Sequence, residues 1–119
     1  MKMGAVPMII IGATNAIRGG DMTNYAKGAC AERDFIERMK PQGYYGVRTA
    51  GSHSLIDVVL LPLAASNHKN VVVCQLKIYA GSKPKPSKEF KDLKFEEGIT
   101  KWWVTRKDYQ KEFEIGAIA

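Results

Sequence analysis

The stretch Val71-Val72-Val73-Cys74-Gln75-Leu76-Lys77-Ile78-Tyr79 constrains the fold more than any other part of this chain. A strand with one wet face alternates apolar and polar residues. The nearly unbroken β-branched start of this run instead predicts a strand covered on both faces, spanning Asn70 to Tyr79. Lys83-Pro84-Lys85-Pro86 cannot continue it, because proline donates no ladder hydrogen bond. A sheet built around such a strand needs packing layers on its two sides.

The other elements supply those layers. From Asn24 to Lys40, Tyr25, Ala29, Phe35, Ile36 and Met39 recur at three- and four-residue steps, which predicts a helix with one buried face. Thr23 or Asn24 is placed to cap it, and Pro41 and Gly43 to stop it. Tyr44 to Ala50 and Leu55 to Leu61 read as two further strands, Lys101 to Thr105 as a fourth, and Lys111 to Ile115 as a short fifth. Ser87 is a candidate cap for a short helix from about Lys88 to Glu97, ended by Gly98. The order helix, three strands, helix, one or two strands favours an antiparallel meander with helices packed on the sheet. In this α/β arrangement the second helix is a candidate crossover to a parallel strand.

At 119 residues the chain fits one domain with a modest core. With 45% hydrophobic and 25% charged residues, neither disorder nor a membrane fold is suggested. The apolar start, Ala5 to Ile11, is interrupted by Pro7 and is far shorter than the roughly 20 residues of a bilayer span. Cys30 and Cys74 form no CxxC or Cys/His cluster, which points to a reducing cytosol and to Cys74 as a small buried hydrophobe. The net charge of +6 attracts acidic polymers, of which nucleic acid is the usual one.

Gln75 and Lys77 stand two apart on the central strand, so both leave the same face while Leu76 and Ile78 leave the other. Asp57, set among Ile56 and Val58-Val59-Leu60-Leu61, is a carboxylate that is costly to desolvate alone. If the two strands are neighbours, Asp57, Gln75 and Lys77 share a small cleft. That set suits phosphodiester cleavage with a hard cation, and equally a semi-buried ion pair of Asp57 and Lys77. Glu32, on the buried side of the first helix, adds a second carboxylate aimed at the sheet.

The ordered set Lys27-Gly28-Ala29-Cys30-Ala31-Glu32-Arg33-Asp34, Gly43-Tyr44, Val47-Arg48-Thr49-Ala50-Gly51-Ser52, Ile56-Asp57-Val58-Val59 and Val73-Cys74-Gln75-Leu76-Lys77 resembles the archaeal-type Holliday-junction resolvases. These belong to the PD-(D/E)XK nucleases, and related small phage and virus nucleases share the pattern. The resemblance implies a restriction-endonuclease-like mixed sheet of four to five strands flanked by helices. It makes residues 23–119 the nuclease domain and leaves 1–22 as an N-terminal extension, dispensable or ahead of a later start codon such as Met22.

By the same resemblance Glu32, Asp57, Gln75, Lys77 and Ser52 form the catalytic set, with Glu32, Asp57, Gln75 and Leu76 holding magnesium or manganese. Gln75 departs from the family's better-known members, which carry glutamate there, and the exchange removes one negative charge from the cation site. Lys27, Arg33, Arg48, Lys83, Lys85 and Lys88 become DNA contacts, although Arg33 and Arg48 read equally as surface charges and the lysines as a solvated linker. His53 is a weaker candidate, and Trp102-Trp103 reads as core plus partner surface or as a stacking site for bases. The implied partners are branched DNA, above all the four-way junction, and a second copy of the chain, with no membrane. The implied setting is the cytoplasm, at the nucleoid or in the prokaryotic host of a virus. Cleavage of flaps, nicks or duplex, and DNA binding without catalysis, remain the other readings.

Overall fold

The meander, the crossover and the two-sided cover of the central strand all appear in a computed structural model, which describes residues 9–11, 24–49 and 54–119. The elements are β1 (Ile9–Ile11), α1 (Asn24–Met39), β2 (Tyr44–Arg48), β3 (Val58–Pro62), β4 (Val71–Tyr79), α2 (Lys88–Asp92), β5 (Ile99–Lys107) and β6 (Phe113–Ile118). They form a mixed α/β fold with one sheet in the order β1-β6-β5-β4-β3-β2. β2, β3 and β4 are antiparallel neighbours, whereas β4 and β5 are parallel, joined through α2. β6 returns antiparallel to β5, and Ile9–Ile11, inside the segment read as an extension, pairs with β6 at the sheet edge. No helix among the described residues is long and apolar enough to cross a membrane.

α1 covers one face of the sheet. Ala31, Phe35 and Met39 are buried against Val58, Leu60, Val72, Cys74, Leu76, Val104 and Phe113, and the Phe35 and Phe113 rings meet edge to face at 5.3 Å. The helix comes close over β2 because Gly46 has no side chain: a Cβ there would lie 2.7 Å from Ile36. Pro41 to Gly43 end α1 as expected, with Gly43 at φ +97° donating its N–H to the Lys40 carbonyl at 3.0 Å. Thr23, the other candidate cap, lies outside the described residues.

The opposite face explains why β4 reads as continuously apolar. Phe90 of α2 is fully buried there, and the Trp103 indole donates to the Pro84 carbonyl at 3.3 Å. Lys101, buried on this side, donates to the carbonyls of Phe90, Lys91 and Leu93 at 2.7 to 3.0 Å, closing the end of α2 with a positive charge. Burial lowers the Lys101 pKa, and the neighbouring Lys94 lowers it further. α2 is shorter than the helix expected to run to Glu97, because Leu93 already takes extended dihedrals. This cover does not reach β2 and β3, where Tyr45, Val47 and Leu61 are exposed.

Candidate active site

Asp57 sits one residue before β3, and its main chain is held from both sides. Its N–H donates to the Cys74 carbonyl at 2.8 Å, and its carbonyl accepts from the Thr49 N–H at 3.1 Å. Its side chain then takes over the ladder position that β3 does not reach, with Oδ2 accepting the Leu76 N–H at 2.8 Å. A strand residue's N–H and C=O point to the same side, so the Leu76 carbonyl leaves β4 toward the side that holds the Asp57 carboxylate. This carbonyl is the group through which Leu76 can serve a cation.

The electrostatics of Asp57 follow from that position. Burial raises its carboxyl pKa, the Leu76 N–H lowers it, the nearby Glu32 carboxylate raises it again, and Lys77 lowers it. Glu32 of α1 and Lys77 of β4 are thus both close enough to act on Asp57. Glu32 is also bound by Arg48, whose Nε donates to Oε1 at 2.9 Å across the α1–β2 contact. Arg48, expected to contact phosphate, is in this arrangement the residue that orients the helix carboxylate.

Gln75 and Lys77 leave the same face of β4, as their spacing predicts, with Gln75 buried and Lys77 exposed. The Gln75 amide oxygen accepts from the N–H and hydroxyl of Ser87 at 3.4 and 3.3 Å. It is therefore engaged by the start of α2, and a cation would share it with, or take it from, Ser87. Ser87 is a site neighbour that sequence reasoning saw only as a helix cap. It is that as well, accepting the Phe90 N–H at 3.2 Å. Ser52 and His53 lie outside the described residues.

The expected DNA contacts divide. Arg33 and Lys85 are exposed. Lys27 pairs with Asp108 at 3.3 Å, Lys83 lies 3.7 Å from Glu114, and Lys88 pairs with Asp92 one helical turn on. Both tryptophans are built into the two packed faces, Trp102 half-buried beside Tyr44 and Trp103 buried under Pro84. Two polar features went unread in the sequence. The first is the Asp34 carboxylate, which accepts from Arg38 at 2.8 Å and from the buried Arg106 at 2.9 Å. The second is Thr105, level with Lys77 on the adjacent strand, whose buried hydroxyl has no partner among the described residues.

The donors available to a cation are hard oxygens: the Asp57 and Glu32 carboxylates, the Leu76 carbonyl and the Gln75 amide. Among the described residues there is no cluster of three or more histidine, cysteine, aspartate or glutamate side chains. The chain matches no family model, no curated protein and no solved structure.

Proposed function

We propose that the protein is a magnesium- or manganese-dependent endonuclease of the PD-(D/E)XK type that hydrolyses phosphodiesters in branched DNA, the Holliday junction being the preferred substrate. The observation that carries the reading is the convergence on the Leu76 backbone of β4. The Asp57 carboxylate is anchored there at 2.8 Å, while Glu32 and Lys77, from a helix and a strand, act on it electrostatically. The meander followed by a parallel crossover strand supports the restriction-endonuclease-like version of the fold.

In this reading Asp57, Glu32, Gln75 and the Leu76 carbonyl would hold a divalent ion, which would supply Lewis-acid polarisation of the scissile phosphate and a lowered pKa for a bound water. Two carboxylates brought together in a half-buried place repel each other, and a dication relieves that repulsion. Lys77, exposed beside the carboxylates, is free to orient the water and to offset charge that develops on the phosphate. Arg48 keeps Glu32 directed at the site. Gln75, neutral where the better-known resolvases carry glutamate, makes the site a weaker cation holder, so full activity needs a higher metal concentration.

A four-way junction has two-fold symmetry, which a homodimer with paired sites matches. Cleavage assays on a four-way junction, a flap and a linear duplex, with magnesium or with chelator, test the proposal. The expected result is magnesium-dependent cutting that is fastest on the junction. Equal rates on all three substrates would remove the junction preference, and no cutting of any with magnesium or manganese would remove the enzyme and leave a DNA-binding module.

A further inference from the structure

The turn between β5 and β6 carries a residue that the fold itself does not explain. Tyr109 has φ +65°, a left-handed conformation that suits glycine or asparagine and is unusual for a bulky side chain, and the residue is 89% exposed. An aromatic ring this exposed gives the fold little burial in return for the strain. The turn is nevertheless firmly built. The Asp108 N–H donates to the Tyr79 carbonyl at 2.6 Å and the Gln110 N–H to the Lys107 carbonyl at 2.9 Å. Asp108 accepts the Tyr109 N–H at 3.1 Å through Oδ1 and pairs with Lys27 at 3.3 Å through Oδ2. The Lys27 ammonium also stands 5.7 Å from the Tyr109 ring centroid.

This turn lies at the same end of the sheet as the candidate active site. β4 and β5 run parallel, and Tyr79 and Lys107 are level with each other, two residues beyond Lys77 and Thr105. Lys77 and Lys107 therefore share one sheet face, both exposed. Two residues of strand span about 7 Å, so the Tyr109 turn begins on the order of 10 Å from Lys77, within reach of a few nucleotides of one DNA strand. Lys111 is exposed just beyond the ring, with Glu112 the next exposed carboxylate. An open aromatic face beside lysines in line with a phosphate-handling site is the combination that binds unpaired bases: cations hold the backbone and the ring takes the base.

We propose that Tyr109 is a stacking platform for an unpaired base of the DNA strand that runs to Lys77, and that it makes the protein favour branched or single-stranded DNA over plain duplex. The proposal rests on the nuclease reading for its substrate, but it is tested through binding alone. In chelator, so that no cleavage occurs, affinity is measured for a flap with a single-stranded arm and for a blunt duplex. The proteins compared are the wild-type chain, Tyr109→Ala and Tyr109→Phe.

The expected result is that Tyr109→Ala binds the flap about ten-fold more weakly and the duplex unchanged, while Tyr109→Phe stays within about two-fold of wild type on both. Thermal unfolding of Tyr109→Ala should stay within about a degree or two of wild type, since the residue is almost fully exposed. Equal flap affinity in Tyr109→Ala and wild type, or an equal loss on flap and duplex, would overturn the platform. A wild-type chain that discriminates flap from duplex in chelator but cuts neither when magnesium or manganese is added would overturn the nuclease reading and leave the platform standing.

Discussion

Asp34 on α1 and Asp57 beside β4 are both partly buried carboxylates, and the protein treats them in opposite ways. Asp34 is clasped by two guanidinium groups, Arg38 and Arg106, at 2.8 and 2.9 Å, and both arginines also lie over the Phe113 ring. Asp57 has one backbone N–H and no ion pair among the described residues, and its strongest carboxylate neighbour, Glu32, repels it. The first acid is matched within the chain and serves the fold. The second has no ion pair among the described residues and lies beside the exposed Lys77, and in the proposed function it is the carboxylate that a divalent ion would join.

The two lysines on the opposite face repeat the contrast. Lys101 is buried with three carbonyl partners and ties α2 to β5, whereas Lys77, on the next strand, projects to solvent. Being charged and central in the sheet therefore does not mark a residue as catalytic. What separates the pairs is whether the chain itself completes their interactions.

Substitutions sharpen that division. The largest effect on stability belongs to Asp34→Ala, which strands the buried Arg106. It should cost about 3 kcal/mol, the lower end for a broken buried pair because the Asp34 side chain keeps 26% exposure, and denaturant unfolding measures it. Cleavage should be untouched at temperatures where that variant is folded. Lys77→Ala should do the reverse, lowering the cleavage rate about 10²–10³-fold in single-turnover assays with little change in the unfolding midpoint. Lys101→Met falls between them in stability. It leaves the carbonyls at the end of α2 without their donor and should cost about 1–3 kcal/mol by the same denaturant measurement.

Asp57→Asn has the smallest stability effect and the opposite sign. Because the folded-state pKa of Asp57 is raised, folding favours its protonated form. Stability from that form is fully present below the unfolded value near pH 4 and is lost as pH rises through the raised folded value. The neutral amide avoids this loss, so Asp57→Asn should unfold a few degrees higher than wild type at pH 7, with the gap closing as pH falls toward 4. A variant that unfolds lower than wild type at pH 7 would put Asp57 in the same structural class as Asp34.

Much of this fold was legible because it follows from periodicity. The apolar run of β4, the helical spacing from Ala29 to Met39 and the stop at Pro41 to Gly43 each have one local cause. Gln75 and Lys77 could be assigned to one face because a strand alternates at every residue. Strand ends were less legible: β3 starts at Val58 rather than Leu55, and β6 runs from Phe113 to Ile118 rather than from Lys111.

The choice of partners among charged groups was not legible. Arg48 could reach phosphate or Glu32, Asp34 could face solvent or Arg106, and the Gln75 amide could face a cation or Ser87. Each alternative depends on elements far apart in sequence, as with Asp34 and Arg106. In the sequence Lys101 reads as the first residue of a strand, and only the position of α2 gives it carbonyls to bind.

The most direct measurement is cleavage of a synthetic four-way junction by wild-type protein and Asp57→Asn across a magnesium titration, with the unfolding temperature of both recorded in the same buffer. The account predicts that wild type cuts only as magnesium rises and gains thermal stability with it, while Asp57→Asn neither cuts nor gains, although it stays folded. Equal magnesium response in the two proteins, or junction cutting by Asp57→Asn, would contradict it.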